Sequence, residues 1–282
     1  MSKSASTEMA APAIAITDPD DPRVAPFRAI REKDLVGRQG LFIAEGTVVL
    51  RVLSEAPAAR FEAERILVLE NRLAGIAGVL KAYPDNVPLF TCNAAVMNAI
   101  TGFDMHRGVL ALGRITGRPA AEDLIATLPE DALVVVCIGL SNHDNAGAIF
   151  RNATALGADA VLLDETSCDP LYRKALRVSV GSVLKMPWAR GDSGPAILAA
   201  LARAGFDVLA LSPSGGEPLH RVSPGRRVAL VLGTEGEGLP ADIMAAFRTV
   251  RIPQAPGLDS LNVGNAAAIA LYQLALARGR IG

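Results

Sequence analysis

Apolar and polar positions along this chain fall into two patterns. Between residues 20 and 116, short apolar runs ("LFIAEG", "RILVLE", "VPLFTC") alternate with helical spacings, and "HRGVLALGRI" closes the segment. They predict a small mixed α/β unit, with a helix before "LFIAEG", another after it and a third over residues 74–81. From residue 132 the runs become richer in β-branched residues. "ALVVVCIGL" (132–140) is near-continuous, as in a strand buried on both faces. "DAVLL", "FDVLALS", "RRVALVLG" and "TVRIP" follow as strands. Between and after them lie helical patterns over 170–178, "PAILAALARAG", "LPADIMAAF" and "SLNVGNAAAIALYQLALAR", the last expected to be capped by Asp259 or Ser260. Strand-helix alternation implies a parallel sheet covered on both faces, with ligands bound beyond the carboxyl ends of its strands.

The flanking segments set the domain organisation. Residues 1–19 ("MSKSASTEMAAPAIAI", then "TDPDDP") read as a disordered tail rather than a signal peptide. The Gly, Pro and acidic residues of "TGRPAAEDLIATLPED" mark residues 117–131 as a linker. The chain then divides into a first unit, 20–116, and a second, 132–282.

Composition adds limits. Lys and Arg number 28 against 29 for Asp and Glu, so any contact with nucleic acid must come from a local basic patch. Cys92, Cys137 and Cys168 form no CxxC and no metal-ligand cluster. They read as small apolar residues in a reducing, cytoplasmic compartment. No metal is expected, and no apolar run is long enough to span a membrane.

Three loops at predicted strand ends carry the candidate chemistry. In "LGTEGEGLP" (232–240), Gly233, Gly236 and Gly238 alternate with Glu235 and Glu237. A phosphate cradle is excluded, because the acids repel phosphate and neither a P-loop Lys nor GxGxxG is present. The loop suits a positively charged ligand or one held by backbone groups; a tight turn with exposed acids is the plainer alternative. In "IPQAPGLDSLNVGNAAA" (252–268), small residues from Gly264 to Ala268 permit close helix packing, as a dimer face or a threaded chain would need. In "SNHDNAGAIFR" (141–151), Arg151 sits in a helix of small and apolar residues. Without further context it reads as a surface cation in a salt bridge. His143 reads as a loop residue rather than a base.

These stretches, in this order, resemble the three motifs of the SpoU (TrmH-like) RNA ribose 2′-O-methyltransferases. "NAGAIFRNATALGADAVLL" is similar to N-x-G-A-I-x-R-x-A, "LVLGTEGEGLP" to G-x-E-x-x-G, and "VRIPQAPGLDSLNVGNAAAIALYQLA" to I-P followed by S-L-N-V. The resemblance covers residues 132–280. It departs at "SLNVGNA", where many members carry Ser-Val after "SLNV". "GLFIAEG" and "HRGVLAL" of the first unit are similar to the L30e-like RNA-binding domain of several members.

The resemblance implies a SPOUT methyltransferase fold with a C-terminal trefoil knot, preceded by a small L30e-like α/β domain. It implies S-adenosylmethionine held by backbone around Gly233, Ile252 and Leu261, a homodimer, and a ribose 2′-hydroxyl of structured RNA as methyl acceptor, ribosomal RNA before transfer RNA. Arg151 would act at the RNA, and Asn145 would cap its helix and orient Arg151 or substrate. Glu235, Ser260 and Asn262 would organise cofactor and substrate. Arg28, Arg31, Arg38, Arg173 and Lys174 are candidate RNA contacts. A catalytically silent RNA-binding relative is the alternative. A dinucleotide-binding enzyme is disfavoured by the missing glycine fingerprint.

Overall fold

A computed structural model of the chain describes residues 12–28, 35–37, 39–257 and 259–282. The chain divides into two compact units: residues through Gly117 together with Leu171–Arg177, and Arg118–Pro170 together with Val178–Gly282. The first unit runs through Gly117, and the stretch from Leu171 to Arg177, inside the expected 132–282 block, belongs to it.

In the first unit, β1 (Ile14–Ala15), β2 (Leu41–Glu45), β3 (Phe61–Leu69), β4 (Leu89–Cys92) and β5 (Val109–Ile115) form one mixed sheet. Their order is β1-β4-β3-β5-β2. Residues 14–16 correct the expected disordered tail. Ile14 and Ala15 pair with Phe90 and Thr91, and Ile16 is buried with Val24, Phe27 and Phe90. Paired backbone groups and a buried Ile offset the cost of ordering this segment. Before "LFIAEG" the described residues hold a 3-10 helix over Pro22–Phe27 that contains Pro26, whose ring opposes α-helical continuation, and helical residues at 35–37. Residues 29–34, with Arg31, lie outside the described residues, as does Arg38.

The second unit holds seven parallel strands, with β6 (Leu133–Cys137), β7 (Ala160–Leu163), β8 (Trp188–Arg190), β9 (Asp207–Leu211), β10 (Glu217–Pro218), β11 (Val228–Leu232) and β12 (Arg248–Arg251). Their order is β10-β12-β9-β11-β6-β7-β8. Every residue of β6 is buried, as its β-branched run predicts. Val134 and Val136 face Ile197, Leu198 and Leu201 of helix Gly194–Arg203. Ser193 Oγ caps that helix by accepting the Ala196 N–H, with Pro195 in its first turn. Each such fully buried Leu or Ile contributes about 1.5–3 kcal/mol.

The expected linker is in large part a helix, Ala121–Thr127. Ala121 and Ile125 lie four residues apart and bury against this same core, with Leu124 and Leu128 beside them. Cys92 and Cys137 are buried as expected, but Cys168 is only partly so. Burial raises the Cys92 and Cys168 thiols to about 11 and Cys137 further, leaving all three protonated at neutral pH. Among the described residues no helix is long and apolar enough to cross a membrane. No group of three or more His, Cys, Asp or Glu among them could hold a metal ion.

The strand order locates the site. From β6 the chain moves outward through β7 and β8, then crosses to β9 and inserts β11 beside β6. A crevice belongs at such a reversal, at the carboxyl ends of the two strands, where Cys137 and Leu232 are register partners.

Candidate active site

Two loops leave that crevice and are joined by one carboxylate. Glu235, after β11, accepts from the Asn142 N–H (3.1 Å) and from Asn145 Nδ2 (3.0 Å) on Oε1. Its Oε2 accepts from Ser141 Oγ at 3.1 Å and, at 3.4 Å, from the Ser141 N–H. A carboxylate fits the start of helix His143–Ala155, where unpaired backbone N–H groups point outward. Asn142 caps this helix through its bond from the Asp144 N–H, so Asn145 is not the expected cap. Asn145 lies inside the first turn and is buried, which directs its amide toward Glu235 rather than its own backbone. His143 is the first helical residue, not a loop residue.

The third loop joins through Asn262. Its Nδ2 donates to Asn145 Oδ1 at 2.9 Å, while its Oδ1 accepts from the Gly264 and Asn265 N–H groups. Asn262, rather than Asp259 or Ser260, therefore caps helix Val263–Ala277. Glu235, Asn145 and Asn262 thus form a continuous chain in which each amide uses both of its ends. The small residues have an internal purpose. A Cβ on Gly264 would stand 3.1 Å from Ala148 Cβ, and Asn152 Nδ2 donates to the Gly264 carbonyl at 3.1 Å. Gly264 and Ala267 are buried within the chain, whereas Ile269, Tyr272 and Leu276 leave an apolar stripe exposed.

Beside this chain lies a cavity of about 670 Å³. Gly233, Ile252, Leu261, Glu235, Ser260 and Asn262 all line it, so six of the expected site residues meet at one place. Thr234, which composition does not single out, fixes the shape of the glycine-rich loop. Its Oγ1 accepts from the Glu237 and Gly238 N–H groups, both at 3.1 Å, and its own N–H donates to the Gly238 carbonyl. The signal for it was a threonine opening a Gly-rich turn. Glu235, Glu237 and Asp259 contribute acid to the lining and no Lys or Arg does, so the cavity favours a cation over a phosphate. Ser141 and Asn142 were also missed; the residues just before a helix were the place to look.

Burial alone would raise the Glu235 carboxyl, but hydrogen bonds from Asn145, Asn142 and Ser141 reverse this and hold it below the usual value. A group lowered in this way stabilises the fold above its unfolded pKa and loses that effect as pH falls through its folded pKa. Wild type should therefore melt above Glu235→Gln at neutral pH, and the gap should close in acid. Scanning fluorimetry between about pH 7 and about pH 3 measures this. A gap independent of pH would show that the carboxylate charge is not what joins the loops.

Arg151 stands apart. It is exposed on helix His143–Ala155, does not line the cavity, and its side chain forms no hydrogen bond or ion pair among the described residues. The plain salt-bridge reading therefore finds no partner there. Among the candidate RNA contacts, Arg28 is engaged locally: it donates to the Pro19 and Asp21 carbonyls and pairs with Asp20 at 3.2 Å. Arg173 and Lys174 lie on helix Arg173–Val178.

The reversal of this parallel sheet thus carries a glycine-rich acidic loop tied to two helix starts. Residues 132–272 match the SpoU rRNA Methylase family, and the chain belongs to it as an RNA methyltransferase. An uncharacterized tRNA/rRNA methyltransferase of Mycobacterium bovis is 40% identical over 275 residues, covering 92% of this chain and 90% of that protein. A 23S rRNA (guanosine-2′-O-)-methyltransferase of Burkholderia sp is 30% identical over 190 residues, covering 67% of this chain and 77% of that protein. Among solved structures, an RNA 2′-O ribose methyltransferase superposes with a TM-score of 0.78 at 29% identity, covering 95% of this chain and 100% of its own.

Proposed function

We propose that the chain transfers a methyl group from S-adenosylmethionine to a ribose 2′-hydroxyl of structured RNA, ribosomal RNA before transfer RNA, as a cytoplasmic homodimer. The observation that carries this reading is the acid-lined cavity at the β6–β11 crevice, joined to the Glu235–Asn145–Asn262 chain. The cavity fits the cofactor chemically. Its acids suit a sulfonium and an ammonium group, and its glycines leave backbone groups available to a ligand. Gln254 also lines it, and its buried Oε1 has no hydrogen-bond partner among the described residues. Backbone around Gly233, Ile252 and Leu261 would hold the cofactor, within the C-terminal knot that the family resemblance implies. The first unit would act as the L30e-like RNA-recognition domain.

S-adenosylmethionine supplies a methyl group on a sulfonium sulfur, which leaves as a neutral thioether. The protein must position a poorly nucleophilic hydroxyl and ease the loss of its proton. Arg151 is suited to clamping the neighbouring phosphate and stabilising the developing alkoxide, while the proton passes to water. The planar, charged guanidinium suits this clamp better than the role of a general base. Glu235 and Asn145 hold the loop after β6 against the cavity, and Ser260 and Asn262 offer polar groups to cofactor or substrate. Arg151 does not line the cavity of its own chain, and the family resemblance implies that it would serve the cofactor of a second copy. The exposed stripe of Ile269, Tyr272 and Leu276 supplies an apolar face for that copy.

Incubation with methyl-labelled S-adenosylmethionine and separate ribosomal and transfer RNA, followed by nuclease digestion and mass spectrometry, tests the reading. A labelled 2′-O-methylnucleoside, chiefly from ribosomal RNA, is expected. Label on bases alone would overturn the assignment to ribose, and cofactor binding without transfer would favour the silent relative.

A further inference from the structure

Two motifs of the first unit, "LFIAEG" and "HRGV", take no part in the cavity, yet they meet in space. Glu45 ends β2, and the Gly46 N–H donates to the Val109 carbonyl at the start of β5. Gly46 has φ +93°, and a Cβ there would press on Arg107 Cδ and Nη1 at 3.2 Å, so the glycine makes room for that arginine. The Glu45 carboxylate is only 5% exposed, and a buried charge requires partners. Three guanidiniums of the same compact unit surround it. Arg107 Nε lies 4.0 Å and Arg177 Nη1 3.9 Å from Oε1, and Arg173 Nε lies 3.7 Å from Oε2. None of these is the direct fork of roughly 2.7–2.9 Å that a dedicated ion pair forms.

The side chains of Arg107 and Arg177 make no hydrogen bond among the described residues, and 53% and 43% of their surfaces are exposed. Pairs of this length on half-exposed side chains add little stability. The carboxylate instead holds the cations in place from behind. Three guanidiniums against one carboxylate leave two positive charges in this group of four. Next to them the Arg173 guanidinium sits 4.7 Å from the ring centre of Phe103, an apolar residue left 41% exposed.

We propose that this cluster is a binding site for single-stranded RNA, in which Arg107 and Arg177 hold a backbone phosphate and the Phe103–Arg173 pair stacks an adjacent unpaired base. Cations joined to an aromatic face make the combination that such strands need: charge for the backbone and a flat surface for any base. Glu45 is a positioning residue that preorganises the arginines. The inference rests on the chain's being an RNA methyltransferase, not on which atom it methylates.

Fluorescence anisotropy with a labelled oligouridylate of about 12 nucleotides, at several KCl concentrations, tests it. The double variant Arg107→Gln, Arg177→Gln should bind about 10-fold more weakly, with the slope of log K against log [KCl] flatter by roughly 0.7 to 1.4. Phe103→Ala should bind at least about 5-fold more weakly with the slope unchanged. Melting temperature and S-adenosylmethionine affinity should stay at wild-type values in all of them, which separates this site from the methyl-transfer cavity. A wild-type protein that ignores the oligouridylate, or a double variant with unaltered affinity and slope, overturns the proposal. So does weaker binding that follows a fall in melting temperature and is not restored by Arg107→Lys, Arg177→Lys, since the cluster would then be a structural lock. Equal affinity of wild type for an RNA duplex of the same length removes the stacking role of Phe103.

Discussion

Replacing Arg151 with alanine should lower methyl transfer by roughly 100-fold or more, the loss typical of removing a group aimed at developing charge. S-adenosylmethionine affinity and melting temperature should hardly move. Arg151 is exposed, lines no part of the cavity and its side chain forms no hydrogen bond or ion pair among the described residues, so its removal disturbs neither. Arg151→Lys keeps the charge but loses the planar pair of donors, and should recover little activity if a phosphate is gripped through two parallel bonds. A lysine variant near the wild-type rate would show that charge alone suffices. An alanine variant that stays active but melts early would return Arg151 to an ordinary surface cation.

Gly233→Ala should weaken cofactor binding by about 10- to 100-fold, in line with the 1–3 kcal/mol that overpacking against rigid neighbours usually costs. The added Cβ would stand 2.3 Å from the Gly238 carbonyl carbon and 2.5 Å from the Leu239 nitrogen, all backbone, so the loop itself must move. Gly236→Ala is the control, because nothing lies within 4 Å of a Cβ there. Calorimetry should find near-wild-type affinity for Gly236→Ala and a large loss for Gly233→Ala. Equal behaviour of the two would remove the tight turn from the account of the cavity. Co-expressing Gly233→Ala with Arg151→Ala adds a test of the shared site. If Arg151 serves the other copy, each mixed dimer regains one intact centre, and about a quarter of wild-type activity should return. No recovery would mean that arginine and cavity act within one chain.

Much of this was legible in residue order. The buried run at 132–140 and the glycine-acid loop at 232–240 announce a strand and a ligand loop by composition alone. What composition could not supply was who touches whom. Glu235 read as one acid among several, because nothing local shows that it reaches Ser141, Asn142 and Asn145 across the crevice. Asp259 and Ser260 looked like helix caps because both are good capping residues. Both residues line the cavity before the helix begins, and Asn262 caps instead. Strands β8 and β10, of three and two residues, are too short to show a period, and their neighbours hold them in the sheet. The helix Ala121–Thr127 was obscured by flanking Pro and acidic residues, although its apolar spacing was present.

The bonds that build the centre also bear on when it forms during folding. Asn145 and Glu235 are 90 residues apart in sequence, and Asn145 and Asn262 are 117 apart. Closing such long loops loses chain entropy before any contact compensates, so these links belong to the late, non-local stage of folding. Interactions absent from the folding transition state act mainly on the rate of unfolding. The amide chain at the crevice is therefore a kinetic fastener: weakening it lets the native protein open sooner while leaving the speed of its collapse largely unchanged.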